Sequence, residues 1–258
     1  MLISSPIVKD KPNGQRIPTG LDELYRSYHI LKSRRQVPEY ALDNKTLWRS
    51  RTPFDANITA LSPHSRVFEA AIASILDQLP EQGTPVRPLS PSKPNLTSIV
   101  LWLEIEGIRI LLAADMEEST QYSGWSLIVG DNRSRNGKAD VYKVAHHGSE
   151  TGEHNQIWTN LLVNNPHCLI APYRKGGNSL PAPTDLQRIG NKSNSVHLTC
   201  VEPRSVKRKR TRQEHRERSM DRIKAKPLYS PMGQIRCRRV IGADNWTIEY
   251  FGNATKVP

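Results

Sequence analysis

The stretches "SIVLWLEIEGIRILLAAD", residues 98–115, and "ADVYKVAHHGSETG", residues 139–152, decide how this chain folds. The first holds two apolar runs rich in β-forming residues, parted by Glu106-Gly107. A pair ending in Gly between two such runs is a tight hairpin signal, because the turn that suits twisted strands needs positive φ. The second run of that hairpin ends abruptly in Asp115, and "ADVYKVA" ends as abruptly in His146 and His147. Buried strands that stop at ionisable residues are the pattern of a layered α/β protein, whose chemistry sits in loops beyond the strand ends.

Working outward, Leu21, Leu24, Tyr25, Tyr28 and Leu31 recur at helical spacing and predict an amphipathic helix to about Arg34. "KTLW" and "NITAL" are short strands. Val67, Phe68, Ala71, Ile72, Ile75 and Leu76 give a second helix, from about Ser65 to Leu79, one apolar face. Five prolines in "LPEQGTPVRPLSPSKPN", residues 79–95, exclude a helix or central strand there and mark a linker or long surface loop. Beyond the histidines, "NQIWTNLLVNN" suits a helix, "HCLIAPY" a strand, "PTDLQRI" a short helix capped by Thr184 or Asp185, and "SVHLTCV" another strand. "IRCRRV" and "NWTIEYF" form a closing hairpin. The expected organisation is an N-terminal helical and short-strand region with its Pro-rich linker, residues 1–95, followed by an α/β body, residues 96–258.

Composition narrows the function classes. The chain of 258 residues carries a formal charge of +12, and eleven of its Lys and Arg fall between Arg204 and Lys226. The segment from 203 to 227 therefore reads as a basic insertion. Its centre, with Lys207, Arg208, Lys209, Arg210 and Arg212, is the candidate nucleic-acid-binding element or else a solvated loop. No aromatic residue lies between Val206 and Pro227, so base stacking is not indicated. The cysteines, Cys168, Cys200 and Cys237, form no C-x-x-C pair, which argues against a cysteine zinc site. Their odd number, with no signal peptide in view, points to reduced thiols and the cytoplasm. No apolar run is long enough to span a bilayer, so no membrane partner is expected.

Asp115, His146 and His147, brought together at strand ends, have the donor types of a transition-metal site for Zn²⁺, Mn²⁺ or Fe. Gly148 would let the chain turn beside them, and Ser149 and Thr151 could hydrogen-bond to the ligands. The alternative from the residues alone is an ordinary surface loop.

"LTSIVLWLEIEGIRILLAADMEE", "ADVYKVAHHGS" and "NPHCLIAPYRKGGNSLPAPTDLQRI" together resemble the second half of a metallo-β-lactamase-fold protein. The subgroup they resemble is the hydrolase-like domain of ComEC-type competence proteins. The resemblance covers about residues 57–200, and "MGQIRCRR" with "NWTIEYF" is similar to that subgroup's closing strands. It implies a metal-dependent hydrolase acting on phosphodiesters, with Asp115 bridging metals as the catalytic carboxylate, His147 a ligand and His146 a neighbour or alternate ligand. It also implies more ligands than this chain offers. The family's H-x-H-x-D-H motif is absent, His29 and His64 stand alone, Ala114-Asp115 replaces Gly-Asp, and Leu180 falls near the place of a further histidine. The expectation is a fold of this type incomplete at its N-terminal side, with an incomplete ligand set for zinc or manganese. Such a chain would be a fragment, one half of a split enzyme whose partner chain supplies the rest, or a degenerate relative serving as a non-catalytic nucleic-acid-binding or scaffold subunit.

Overall fold

The computed structural model describes residues 20–36, 39–78, 93–120, 123–131, 135–175, 178–200 and 233–258. The basic residues Lys207, Arg208, Lys209, Arg210 and Arg212 lie outside these, as does most of the Pro-rich stretch. Two compact units are present, residues 1–40 and 41–258. The described part of the first is helix α1 (Gly20–Ser33). It carries the expected spacing, and Tyr28 and Ile30 are exposed on it.

The second unit begins with strands β1 (Lys45–Ser50) and β2 (Ala56–Ala60), helix α2 (Ser65–Leu76), and strands β3 (Leu101–Ile105) and β4 (Ile108–Leu112). Next come the short β5 (Glu118–Thr120) and β6 (Ser123–Gly124), helix α3 (Trp125–Gly130) and β7 (Ala139–Lys143). Then follow β8 (Leu162–Ile170), β9 (Tyr173–Lys175), β10 (Asn178–Leu180), helix α4 (Pro183–Gly190) and β11 (Val196–Leu198). The chain closes with β12 (Gln234–Arg239), β13 (Trp246–Phe251) and β14 (Thr255–Lys256).

One eight-stranded mixed sheet organises the unit, in the order β1-β2-β3-β4-β7-β8-β11-β14. The first four strands are antiparallel neighbours, and β4, β7, β8 and β11 run parallel. The architecture is thus mixed α/β. The turn between β3 and β4 has φ of 48° at Glu106 and 79° at Gly107, the doubly left-handed turn its two residues announced. Because β2 pairs along β3, residues 45–60 belong to the same sheet as the strands after 96. The two units divide the chain after residue 40.

The core lies against the parallel strands. Trp102, Leu111, Ala113, Trp125, Tyr142, Leu161, Leu162, Ile170 and Ile189 form one buried cluster. Burying side chains of this size yields about 1.5–3 kcal/mol each, so this cluster carries most of the fold's drive.

Two sequence expectations need correction. "NQIWTNLLVNN" is helical only over residues 155–161, ending in a π-helical turn, Ile157–Leu161, and Leu162 already begins β8. The reason is visible in the register. Ala139 pairs with Leu162, but Val141 pairs with His167, so residues 163–166 bulge out of the ladder. Asn165 takes φ 58° there and Pro166 needs no partner for a missing N–H. The cap of α4 is Ala182, ahead of Pro183, and Asp185 reaches back to accept from the Ala182 N–H at 2.8 Å. Neither Thr184 nor Asp185 is itself the cap.

Candidate functional site

Parallel strands deliver their C-terminal ends to one edge of the sheet. Leu112 pairs with Lys143, and Lys143 with Leu169, so the residues just after β4, β7 and β8 emerge side by side. Asp115, His146, His147 and Ala171 are those residues. The His146 N–H donates to the Ala114 carbonyl at 3.0 Å, which ties the two loops together directly beneath the candidate groups.

The backbone is held in the left-handed region at Ala114 (φ 48°), His146 (43°), His147 (55°) and Gly148 (87°). For a residue with a Cβ this costs on the order of 1–3 kcal/mol, and such outliers gather at functional sites. The turn aims the two adjacent imidazoles in different directions. The space beneath is also filled. A Cβ at Gly152 would lie 2.8 Å from the Cβ of His146, and one at Gly148 would lie 3.2 Å from Pro181. Arg188 braces the loop from below. It donates to the Gly148 carbonyl at 2.8 Å and to Asp185 at 3.1 Å, and pairs with Glu153.

His147 faces Asp115, with Nε2 3.4 Å from Oδ1. Its other nitrogen, Nδ1, lies 2.7 Å from the Ala171 carbonyl oxygen. A carbonyl only accepts, so Nδ1 carries the proton. That leaves Nε2 facing a carboxylate oxygen, and at this distance a cation, a proton or a metal ion, belongs between them. Tyr173 stacks on the imidazole, centroids 4.9 Å apart and planes at 26°, and fixes its plane. Lys143 adds positive potential. Burial lowers its pKa and the charge of Asp115 opposes that shift.

His146 does something else. Its Nδ1 is 2.8 Å from Glu117 Oε1 and 3.1 Å from Thr151 Oγ1, and the Thr151 hydroxyl donates to the same Glu117 oxygen at 3.0 Å. The two imidazole centroids are 6.3 Å apart. So the structure joins Asp115 to His147, and His146 to Glu117, as two separate pairs. Among the described residues no group of three or more His, Cys, Asp or Glu stands where it could hold one metal ion. His64 is engaged elsewhere, as the cap of α2, accepting from the Arg66 N–H at 3.2 Å. Ser149 and Thr151 serve the second pair, since Thr151 touches His146 and Ser149 touches Thr151 at 3.2 Å.

Glu117, Tyr173 and the Ala171 carbonyl escaped the sequence reading. Glu117, two residues after Asp115, was the one with a visible signal; a backbone carbonyl leaves none. Comparison with protein-family models, with curated proteins and with solved structures returned no match. No helix among the described residues is long and apolar enough to cross a membrane.

Proposed function

We propose that this chain is a hydrolase-like protein of the metallo-β-lactamase type that presents half of a metal site and does not turn over substrate by itself. The observation that carries the reading is the Asp115–His147 pair. A carboxylate and an imidazole lie 3.4 Å apart, with the imidazole's far nitrogen engaged by a carbonyl. Ligands of one zinc ion stand roughly 3–4 Å from each other, given bonds of about 2 Å. The pair fits two ligand positions.

It does not fit a whole site. Catalytic zinc takes three protein ligands and structural zinc four. His146, the nearest further donor in the chain, is committed to Glu117 and Thr151. Any completing ligands come from residues outside those described or from a second chain. A polyanion is the substrate class that suits the reading, because eleven Lys and Arg lie between residues 204 and 226 and a phosphodiester is what such charge attracts.

The second reading, a non-catalytic nucleic-acid-binding or scaffold subunit on the same fold, is favoured by the separation of His146 from the first pair. The test is turnover of a phosphodiester such as bis-p-nitrophenyl phosphate, and of DNA, by the purified chain with Zn²⁺ or Mn²⁺. Negligible turnover is expected. Robust turnover lost in Asp115→Ala would mean that the chain holds a complete site and would overturn the half-site.

A further inference from the structure

A second polar cluster lies away from the paired histidines and involves the β12–β13 hairpin. That hairpin forms its own two-stranded sheet, outside the eight-stranded one. None of its residues from 233 to 251 is buried, and Val240 and Ile241 at its tip are 74% and 61% exposed. Apolar packing is therefore a weak attachment here, and the described fastenings are polar.

The central fastening is a continuous hydrogen-bond chain. Tyr250 of β13 has its hydroxyl 2.6 Å from His197 Nδ1. His197 Nε2 is 2.9 Å from Ser195 Oγ, which is 2.6 Å from His167 Nδ1. The two imidazoles lie 5.8 Å apart, and Trp246 of β13 packs edge-on against His167 at 5.7 Å. Beside them, Arg239 of β12 pairs with Asp140 at 3.3 Å. The Gly233 N–H donates to the Thr199 carbonyl at the hairpin's base.

Each link of this chain needs one proton. With both rings neutral, Tyr250, His197, Ser195 and His167 supply one donor each, and every link is made in a single direction. We propose that the β12–β13 hairpin is a strap released by acid, with Tyr250–His197–Ser195–His167 as its latch. Two imidazolium ions would reverse these links, with Ser195 accepting from both rings and Tyr250 accepting from His197, so protonation would keep the contacts but set two like charges 5.8 Å apart. They would repel each other, because His197 is only 2% exposed and little water reaches it.

The surrounding charges set the balance. On the sheet side Lys256 of β14 opposes protonation of both rings, and Asp140 of β7 favours it at His167. On the strap side Arg239 engages Asp140 and so spends part of that help, and Cys237 lies close enough to act on Tyr250. Burial pushes His167 down, and burial with the neighbouring His167 and Lys256 pushes His197 to about 4, from an ordinary 6.5. A depressed histidine stabilises the docked state above its ordinary pKa. That stabilisation is lost as pH falls from the ordinary value through the docked one. Undocking relieves burial but leaves His167 and Lys256 in place, so for His197 alone this linkage weakens docking by at most about twentyfold between pH 7 and pH 5.

The test is amide hydrogen exchange of the full chain at pH 7 and pH 5, corrected for the intrinsic rate. The hairpin amides, 234–251, are read against those of β3 and β4, 101–112. Hairpin protection should fall several-fold relative to the sheet. His167→Asn with His197→Gln should remove the pH dependence. Tyr250→Phe, which deletes one hydroxyl and leaves the rings in place, should lower hairpin protection several-fold already at pH 7. Hairpin protection that does not fall, or falls only in step with the sheet, would overturn the proposal. So would the same fall in the double variant, or unchanged protection in Tyr250→Phe. The last comparison decides the matter even if the double variant fails to fold.

Discussion

Gly152→Ala adds one methyl group under the candidate site and removes no functional atom. The added Cβ would lie 2.8 Å from the Cβ of His146, 3.1 Å from the Ala145 oxygen and 3.2 Å from its carbon. Ordinary approaches of this kind start near 3.4 Å, and two of these three neighbours are backbone, so something must move. Overpacking of this kind costs about 1–3 kcal/mol. Gly152 has no positive φ, so alanine recovers about 0.4–1 kcal/mol by narrowing the unfolded ensemble. The net expectation is a loss of about 1.5 kcal/mol, which for a chain of this size lowers the melting temperature by about 3–6 °C. Gly190→Ala is the control. No atom lies within 4 Å of its added Cβ and it ends helix α4, so it should melt with the wild type or slightly above. The assay is thermal unfolding by circular dichroism, with the His146 ring resonances followed by NMR as a local reporter. If Gly152→Ala melted with Gly190→Ala and left His146 unmoved, the loop would be yielding. Packing beneath the loop would then not be what holds the His146 ring in place.

Two further outcomes follow from other parts of the chain. Cys168 is fully buried and its pKa is pushed up to about 12 by burial, so in the native protein at pH 8 a thiol reagent should leave it unmodified while reaching Cys200 and Cys237; three rapidly reacting thiols before unfolding would contradict its placement. Replacing Lys207, Arg208, Lys209 and Arg210 by Ala should weaken DNA and RNA binding with little regard to sequence. It should also flatten the salt dependence by about 0.9 in log–log slope for each phosphate no longer neutralised, whereas equal affinity and slope would leave the segment as a solvated loop.

The fold was legible wherever a local pattern had one physical solution. Glu106-Gly107 between two apolar runs permits little but a hairpin, and the spacing from Val67 to Leu76 permits little but a helix. The switch from helix to strand at Leu162 was not legible, because the apolar residues of 155–165 fit a helical period as well as a buried strand. Pro166 also argues locally against a central strand. Only the partner strand, by letting residues 163–166 bulge, removes that conflict. The proline-rich stretch was silent on a related point. Prolines report that a segment is neither helix nor central strand, and are silent on whether the strands on either side pair with each other, as β2 and β3 do.

At the site, the meeting of Asp115 and His147 could be anticipated, because both end strands that run to the same edge. The role of His146 could not. Adjacent histidines in an extended segment point to opposite faces, but three successive left-handed residues follow no such alternation. Which ring faces Asp115 was decided by Ala171, a carbonyl just past the end of a different strand, and by Glu117, whose approach depends on the turn after Asp115.

The half-site is tested most directly by zinc binding to the purified chain, measured by isothermal titration calorimetry for the wild type, Asp115→Asn and His147→Asn. Two aligned ligands without a third predict weak binding in the wild type, exhausted by a mild chelator and lost in either variant. One zinc per chain, held tightly against the chelator and insensitive to both substitutions, would contradict the account.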